Sequence, residues 1–521
     1  MKKFQFIIGL LISSLLVGSF AFAQELLPND PYYSRQWYLE KLNLPQIWAQ
    51  ETGSKNVIIA VIDSGIDVSH PDLHDNIWVN QKEILGDGID NDHNGYIDDI
   101  SGWDFINNSN DPSPKYDVSC LQNNTCTEDG IFHGTFVAGV AAAVGNNGIG
   151  TTGVAWNVKI MPLRVLNENG SGNTVDVVKA IEYAINNGAN IINLSFVGDT
   201  YDLALEQALV NAYQKGLVIV AASGNENQAG QAINLDLTKM YPVCHQGPGG
   251  QRILLGVGAT DIFKKITEFS NYGSSCVDIM APGRDFFGTL VYNPQVSSFN
   301  QYYGGNFSGT SLAAPVVSGV AALIKSYKPE LTNQQIMDAI NKNAENIDAL
   351  NPAFVGKMGN GLIDPVKIFQ NLKMSVINSQ LIKGSTAAIY YLGSDGKRYT
   401  FPDQKVFFSW YDSFKGIKQI SDRELSDFTL GGIVTYRPGA MVKIQTDPKV
   451  YAVTQGGILR WIKNETIVQA LYGNVWAQLI FDVPDSYFAI YKIGADINSA
   501  LDFNPVIEKN NVPSIDIDKS L

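Results

Sequence analysis

The chain has 521 residues, 45% of them apolar, enough for an ordinary buried core and for two or three domains. A formal net charge of -14 argues against general nucleic-acid binding and suits a soluble extracellular protein that binds cations. Four cysteines include no C-x-x-C pair, so zinc is the weaker reading.

The N-terminus reads as a signal peptide over residues 1–23. Lys2 and Lys3 precede a mostly apolar run from Phe4 to Phe20, and Ala21-Phe22-Ala23 is an A-x-A cleavage site. The run is short of the ~20 residues that span a bilayer. No cysteine follows it, which argues against a lipoprotein, and no later stretch reads as a membrane span. The expected location is therefore secreted or cell-surface. Export also permits disulfides. Of the three pairings open to four cysteines, Cys120 with Cys126 would close a small polar loop, and Cys244 with Cys276 would tie two later segments.

From residue 57 onward, short apolar runs alternate with helical patterns. Residues 57–62, 159–165, 191–196 and 217–222 read as buried strands, and 175–187 and 203–215 as helices. This rhythm predicts an α/β fold: a largely parallel, doubly wound sheet with helices on both faces. Ligands of such sheets sit at the carboxyl ends of the strands, where several polar residues fall. Asp63 ends the first apolar run, where a carboxylate is rigidly held and half desolvated. A histidine would reward its charge, but Asp-Ser-Gly is also good turn chemistry. His133 is expected to open a helix of small residues, with Gly134 leaving room for a neighbouring chain. Ser311 follows Gly309 at the start of another small, apolar helix, where free N–H groups favour negative charge. Asn225 follows an apolar strand, and its amide could donate to an oxyanion together with the Ser311 N–H.

Residues 90–95 form a D-x-D-x-N-G loop, and Asp90, Asp92, Asn94, Tyr96, Asp98 and Asp99 read as calcium ligands. Ser101 stands where a full EF-hand has its final Glu. His70 and His74 are four apart, but Pro71 breaks the helix that would align them on zinc. Near residue 373 the composition turns aromatic. Ile389-Tyr390, Asp395-Gly396 and Arg398-Tyr399 match Val450-Tyr451, Gly456-Gly457 and Arg460-Trp461 at an offset of about 61 residues. This predicts a small domain of two similar units over 373–505, followed by a polar, loose tail over 506–521. Tyr390, Tyr391, Tyr399, Trp410, Tyr411, Tyr451, Trp461 and Trp476 are expected to form its core, the alternative being a glycan or cell-surface contact.

Asp-Ser-Gly after a strand, His-Gly-Thr at residues 133–135, and Gly-Thr-Ser-x-Ala-x-Pro at 309–315 together resemble the three signatures of the subtilisin-like serine protease family, in the same chain order. Residues 69–73, 153–155, 193–195 and 280–283 add to the likeness, and Asn29 to Tyr33 with Gln36-Trp37 resembles thermitase-type members. The resemblance covers about residues 30–372, within a peptidase domain expected over 24–372. It implies a secreted endopeptidase acting on polypeptides, with Asp63, His133 and Ser311 as a triad and Asn225 as an oxyanion donor. It also implies that Gly170, Ser171 and Gly172, and Ser195, Phe196 and Val197, pair with substrate backbone. A second calcium site is implied at Asp72, Asn147 and the carbonyls of Gly145, Ile149 and Thr151, with Asp30 and Gln36 nearby. The chain departs from the family in three ways. Residues 24–29 leave no room for an inhibitory propeptide, Leu312 replaces a usual Met, and Val197 replaces a Gly in the primary specificity pocket. The alternative function is an inactive, protease-like surface binding protein.

Overall fold

The structure, a computed structural model, describes residues 25–116, 119, 127–225, 230–296, 299–377, 381–444 and 446–521. The signal-peptide reading and the Cys120–Cys126 pairing lie outside these residues. The described part divides into two compact units, one ending at Phe369 and the other starting at Gln370.

The first unit is built on β1 (Ile58–Asp63), β2 (Trp103–Asp104), β3 (Lys159–Arg164), β4 (Ile191–Leu194), β5 (Val218–Ala222), β6 (Leu255–Thr260) and β7 (Ile279–Pro282). All are parallel, in the order β2-β3-β1-β4-β5-β6-β7. Every residue of β1 after Ile58 is buried, because helices cover both faces of the sheet. Each large aliphatic side chain so buried contributes about 1.5–3 kcal/mol. From β1 the chain runs to one side, through β2 and β3, then crosses to β4 on the other. The carboxyl end of β1 is thus a topological switch point, the crevice where such sheets bind ligands.

Helix α1 (Glu128–Ala142) packs on α4 (Thr310–Tyr327), and α2 (Thr174–Asn186) on α3 (Leu203–Gln214). Thr127, Asn173 and Asp202 cap α1, α2 and α3 through their side-chain oxygens. The Thr127 cap starts α1 at Glu128, five residues before the expected start, so His133 lies in its second turn. By length and composition α4 is apolar enough to cross a membrane, contrary to the sequence reading. It is 83% buried against the sheet, which accounts for its character. Cys244 and Cys276 form a disulfide.

The second unit holds two five-stranded sheets of one topology. In the first, Leu381–Lys383, Ile389–Leu392 and Arg398–Thr400 form an antiparallel meander. Lys418–Gln419 flanks its first strand and Leu430–Ile433 its third, both in parallel. In the second, Met441–Ile444, Tyr451–Thr454 and Ile458–Trp461 form the meander, flanked likewise by Ile480–Val483 and Lys492–Ile493. All eight aromatic residues singled out above sit in these cores or pack against them. Burial rather than recognition explains them, and the glycan contact finds no support. The C-terminal segment corrects the expectation of a loose tail. It forms helices Pro505–Asn511 and Ile515–Lys519, buries Val512 and Ile515, and pins Asp518 by the Gly456 N–H at 2.9 Å. Apolar residues spaced among the polar ones supply the anchor.

Candidate active site

Asp63 ends β1 with its side chain fully buried. The Ser64 N–H and His133 Nδ1 both donate to its Oδ1, each at 2.7 Å. Its Oδ2 is buried without a hydrogen-bond partner among the described residues, so a positive charge nearby is strongly favoured. Burial pushes the His133 imidazole toward neutrality, but the Asp63 charge and hydrogen bond outweigh it and hold its pKa above the ordinary histidine value. The Nδ1–H contact fixes the tautomer, leaving Nε2 as an acceptor on a side chain about one quarter exposed, at 24%.

The close approach of α1 to β1 depends on Gly134, as its sequence position suggested. A methyl group there would stand 2.3 Å from the Gly65 carbonyl oxygen. Two side-chain bonds lock this contact: Gly134 N–H to Ser64 Oγ at 3.2 Å, and Asp67 N–H to Thr135 Oγ1 at 3.0 Å. From β3, buried Arg164 donates to the Ser64 carbonyl at 3.2 Å and to Asp104 at 2.8 Å. The sequence reading did not single out Arg164, whose only signal was a cation closing an apolar strand.

Ser311 is the second residue of α4. Pro315, four residues on, has no N–H to satisfy the Ser311 carbonyl. The Ser195 hydroxyl takes that place at 2.9 Å, itself held by Asn193 at 2.9 Å, which in turn accepts from Ser318 at 2.8 Å. The Ser311 backbone is thereby tied to the end of β4. Asn225 Oδ1 accepts from the Thr310 N–H at 3.0 Å and the Thr310 hydroxyl at 3.1 Å. This sets the amide orientation and leaves Nδ2 to donate elsewhere. A Cβ built on Gly309 would lie 2.9 Å from Ser311 Oγ, 3.4 Å from Asn225 Nδ2 and 3.7 Å from the Ser311 nitrogen. One small volume is therefore reached by a hydroxyl and two N–H donors. A carbonyl placed there can be attacked and its developing oxyanion stabilised.

Gly170–Gly172 and Phe196–Val197 line one cavity of about 280 Å³, together with Leu166, Val177 and Leu205. Ser195–Val197 lie just past β4 rather than in a strand. Val197 crowds Gly224, next to Asn225: a Cβ on Gly224 would stand 2.8 Å from Val197 Cγ2.

In the acidic loop, Glu83, Asp90 and Asp92 bring one oxygen each within 4.8 Å of one another. Glu83 was not anticipated, since it precedes the loop motif. Asn94 and Tyr96 lie in the same turn, where the Tyr96 N–H bonds Asn94 Oδ1 at 2.8 Å. Asp98 instead accepts from the Gly86 and Gly88 N–H groups, and Asp99 from Asn80, Asn94 and Tyr183. At the second expected site, Asp72 accepts from Asn147 at 3.0 Å and from the Thr151 N–H at 2.8 Å, and burial raises its pKa to about 7. Asp30 accepts from the Asn146 and Asn147 N–H groups, and Gln36 braces Thr152. Gly145 and Ile149 belong to that 145–151 loop. His70 is buried against the Tyr302 carbonyl at 3.0 Å while His74 is exposed beside Asp75, so they form no metal pair.

Residues 54–361 match the Subtilase family. The chain is 34% identical over 328 residues to a thermophilic serine proteinase of Bacillus sp. (strain AK1), covering 63% of this chain and 66% of that protein. It is 33% identical to thermitase of Thermoactinomyces vulgaris, covering 61% of this chain and 92% of the other. With subtilisin-like protease 1 of Plasmodium berghei (strain Anka) the identity is also 33%, over 60% of this chain and half of that protein, 50%. Among solved structures it is similar to proteases from Pseudoalteromonas arctica PAMC 21717, with a TM-score of 0.51 and 31% identity over 66% of this chain and 99% of that one.

Proposed function

The chain belongs to the subtilase family and carries its serine-peptidase domain, and on that premise we propose that it is a secreted endopeptidase acting through Asp63, His133 and Ser311. The observation that carries this reading is the convergence of Ser311 Oγ, Asn225 Nδ2 and the Ser311 N–H on one volume. Ser311 Oγ attacks the scissile carbonyl as His133 Nε2 takes its proton. Asn225 and the Ser311 N–H hold the oxyanion, and Asp63 stabilises the imidazolium. Collapse expels the amine, which receives the proton from His133 and leaves an acyl-serine. Water, deprotonated by the same imidazole, then releases the carboxylate. Substrate backbone docks between Gly170–Gly172 and Ser195–Val197 by strand addition. Val197 restricts the residue that supplies the scissile carbonyl to small side chains.

Calcium fits the Glu83, Asp90 and Asp92 cluster, since three carboxylate oxygens converge there. Asp72, Asn147 and the 145–151 loop, with Asp30 alongside, fit a second site. When bound, the ion supplies charge neutralisation and ties together loops that flank the sheet. The apolar run and A-x-A site at the N-terminus support export. The second unit is a repeat domain of two similar sheets.

Labelling with a fluorophosphonate tests the assignment. Wild type should be labelled and should hydrolyse peptides. Ser311→Ala should fold, resist labelling and lose turnover by about a million-fold. Equal labelling of the two proteins would refute Ser311 as nucleophile, and an unlabelled wild type would point to an inactive binding protein.

A further inference from the structure

The second unit contains a cavity of about 350 Å³ at the turn between its two sheets. Arg437 and Lys509 line it, together with Phe408, Leu479, Phe481 and Gln478, and among the described residues no acidic side chain does. The cavity is thus locally cationic in a chain with 51 acidic against 37 basic residues. The Arg437 Nε is buried without a hydrogen-bond partner among the described residues. The guanidinium carbon lies 5.5 Å from the centre of the Trp410 ring. That ring is fixed by its own N–H bond to the Thr435 carbonyl at 2.9 Å. The acid on the Lys509 helix, Glu508, does not line the cavity and accepts from the Gln455 N–H at 3.2 Å. The buried Nε–H lacks an acceptor while the rest of the half-buried guanidinium reaches solvent, so an anion from outside could satisfy that donor and pair with the charge. Phe408 and Leu479 remain 40% and 46% exposed at the rim, offering apolar contact beside the charge.

We propose that this cavity binds the free C-terminal carboxylate of a peptide whose last side chain is apolar. The planar guanidinium matches a carboxylate in two-pronged fashion. The apolar walls accept one side chain, and the Gln478 amide can pair with the peptide backbone. A fatty acid would leave that amide unused.

Calorimetric titration of the full chain carrying Ser311→Ala tests this, with an acetylated pentapeptide ending in Leu as the probe, in free-acid and amide forms. The Ser311→Ala background keeps the peptide intact whether or not the first unit hydrolyses peptides, so the outcome does not depend on the proposed activity. The acid should bind saturably and at least about tenfold tighter than the amide, the worth of one charge-assisted contact. Arg437→Gln should erase that preference. Lys509→Gln, at an exposed position that tolerates change, should weaken the acid severalfold and leave the amide unaffected, which keeps the test decisive should Arg437→Gln fold poorly. Equal affinity for acid and amide, acid binding unchanged in folded Arg437→Gln or in Lys509→Gln, or no binding at millimolar peptide would each overturn the proposal.

Discussion

Gly309→Ala is the substitution in which the geometry speaks most directly. Gly309 has φ 166° and ψ 157°, extended backbone open to any residue, so alanine brings no backbone strain. The added methyl would sit 2.9 Å from Ser311 Oγ and 3.4 Å from Asn225 Nδ2. An oxyanion needs to lie about 2.7–3.1 Å from its donors, so methyl and oxyanion compete for one volume. Either the Ser311 hydroxyl rotates away or the carbonyl stands off by roughly 1 Å. A displacement of that size costs about 100-fold, and loss of one oxyanion donor roughly 100- to 1,000-fold. We therefore expect kcat/KM to fall by about 100- to 1,000-fold, or about 2.7–4 kcal/mol. The fold should hold, because relief of unfolded-chain entropy by Gly→Ala, about 0.4–1 kcal/mol, offsets the local contact. The assay is steady-state peptide hydrolysis together with the fluorophosphonate labelling rate and a melting curve. Asn225→Ala serves as a companion without the steric change, and its loss should appear in kcat rather than KM. Unchanged kcat/KM in a folded Gly309→Ala variant would refute the placement of the oxyanion at this point.

Three further outcomes follow from the same geometry. In the proposed mechanism proton abstraction needs neutral His133, whose pKa is held above the usual 6.5 by the Asp63 charge and hydrogen bond against the opposing burial. The acid limb of kcat/KM should thus have its midpoint above 6.5, and Asp63→Asn should move it to lower pH while reducing kcat about 10,000-fold; a limb that stays in place would separate Asp63 from the base. Chelation should lower the melting temperature of wild type, by linkage, and Glu83→Gln should blunt that response; a Glu83→Gln variant with the full wild-type response to chelator would exclude Glu83 as a ligand. Val197→Gly should raise kcat/KM for substrates with a large residue before the scissile bond by about 10- to 200-fold over those with Ala there, and an unaltered profile across such peptides would show that Val197 does not wall that pocket.

Much of the local structure is written in the chain itself. The run ending in Asp63 is apolar at every position, which is how a strand covered on both faces reads, and the helical patterns at 175–187 and 203–215 agree with α2 and α3, whereas the start that Thr127 caps lies five residues before the expected one. The residue types at 63, 133, 225 and 311 are each modest alone, and it is their motifs and chain order together that carry the resemblance to the subtilase family. Only the tertiary structure decided how those groups are held. That Ser195 supplies the bond Pro315 withholds, that Thr310 turns the Asn225 amide outward, and that Gly134 lets α1 touch Gly65 all depend on contacts between segments distant in sequence. Glu83 joined the acidic loop and the C-terminal residues joined the second core for the same reason. Local pattern records which face of an element is apolar, whereas the partner that covers it is chosen by packing across the whole fold.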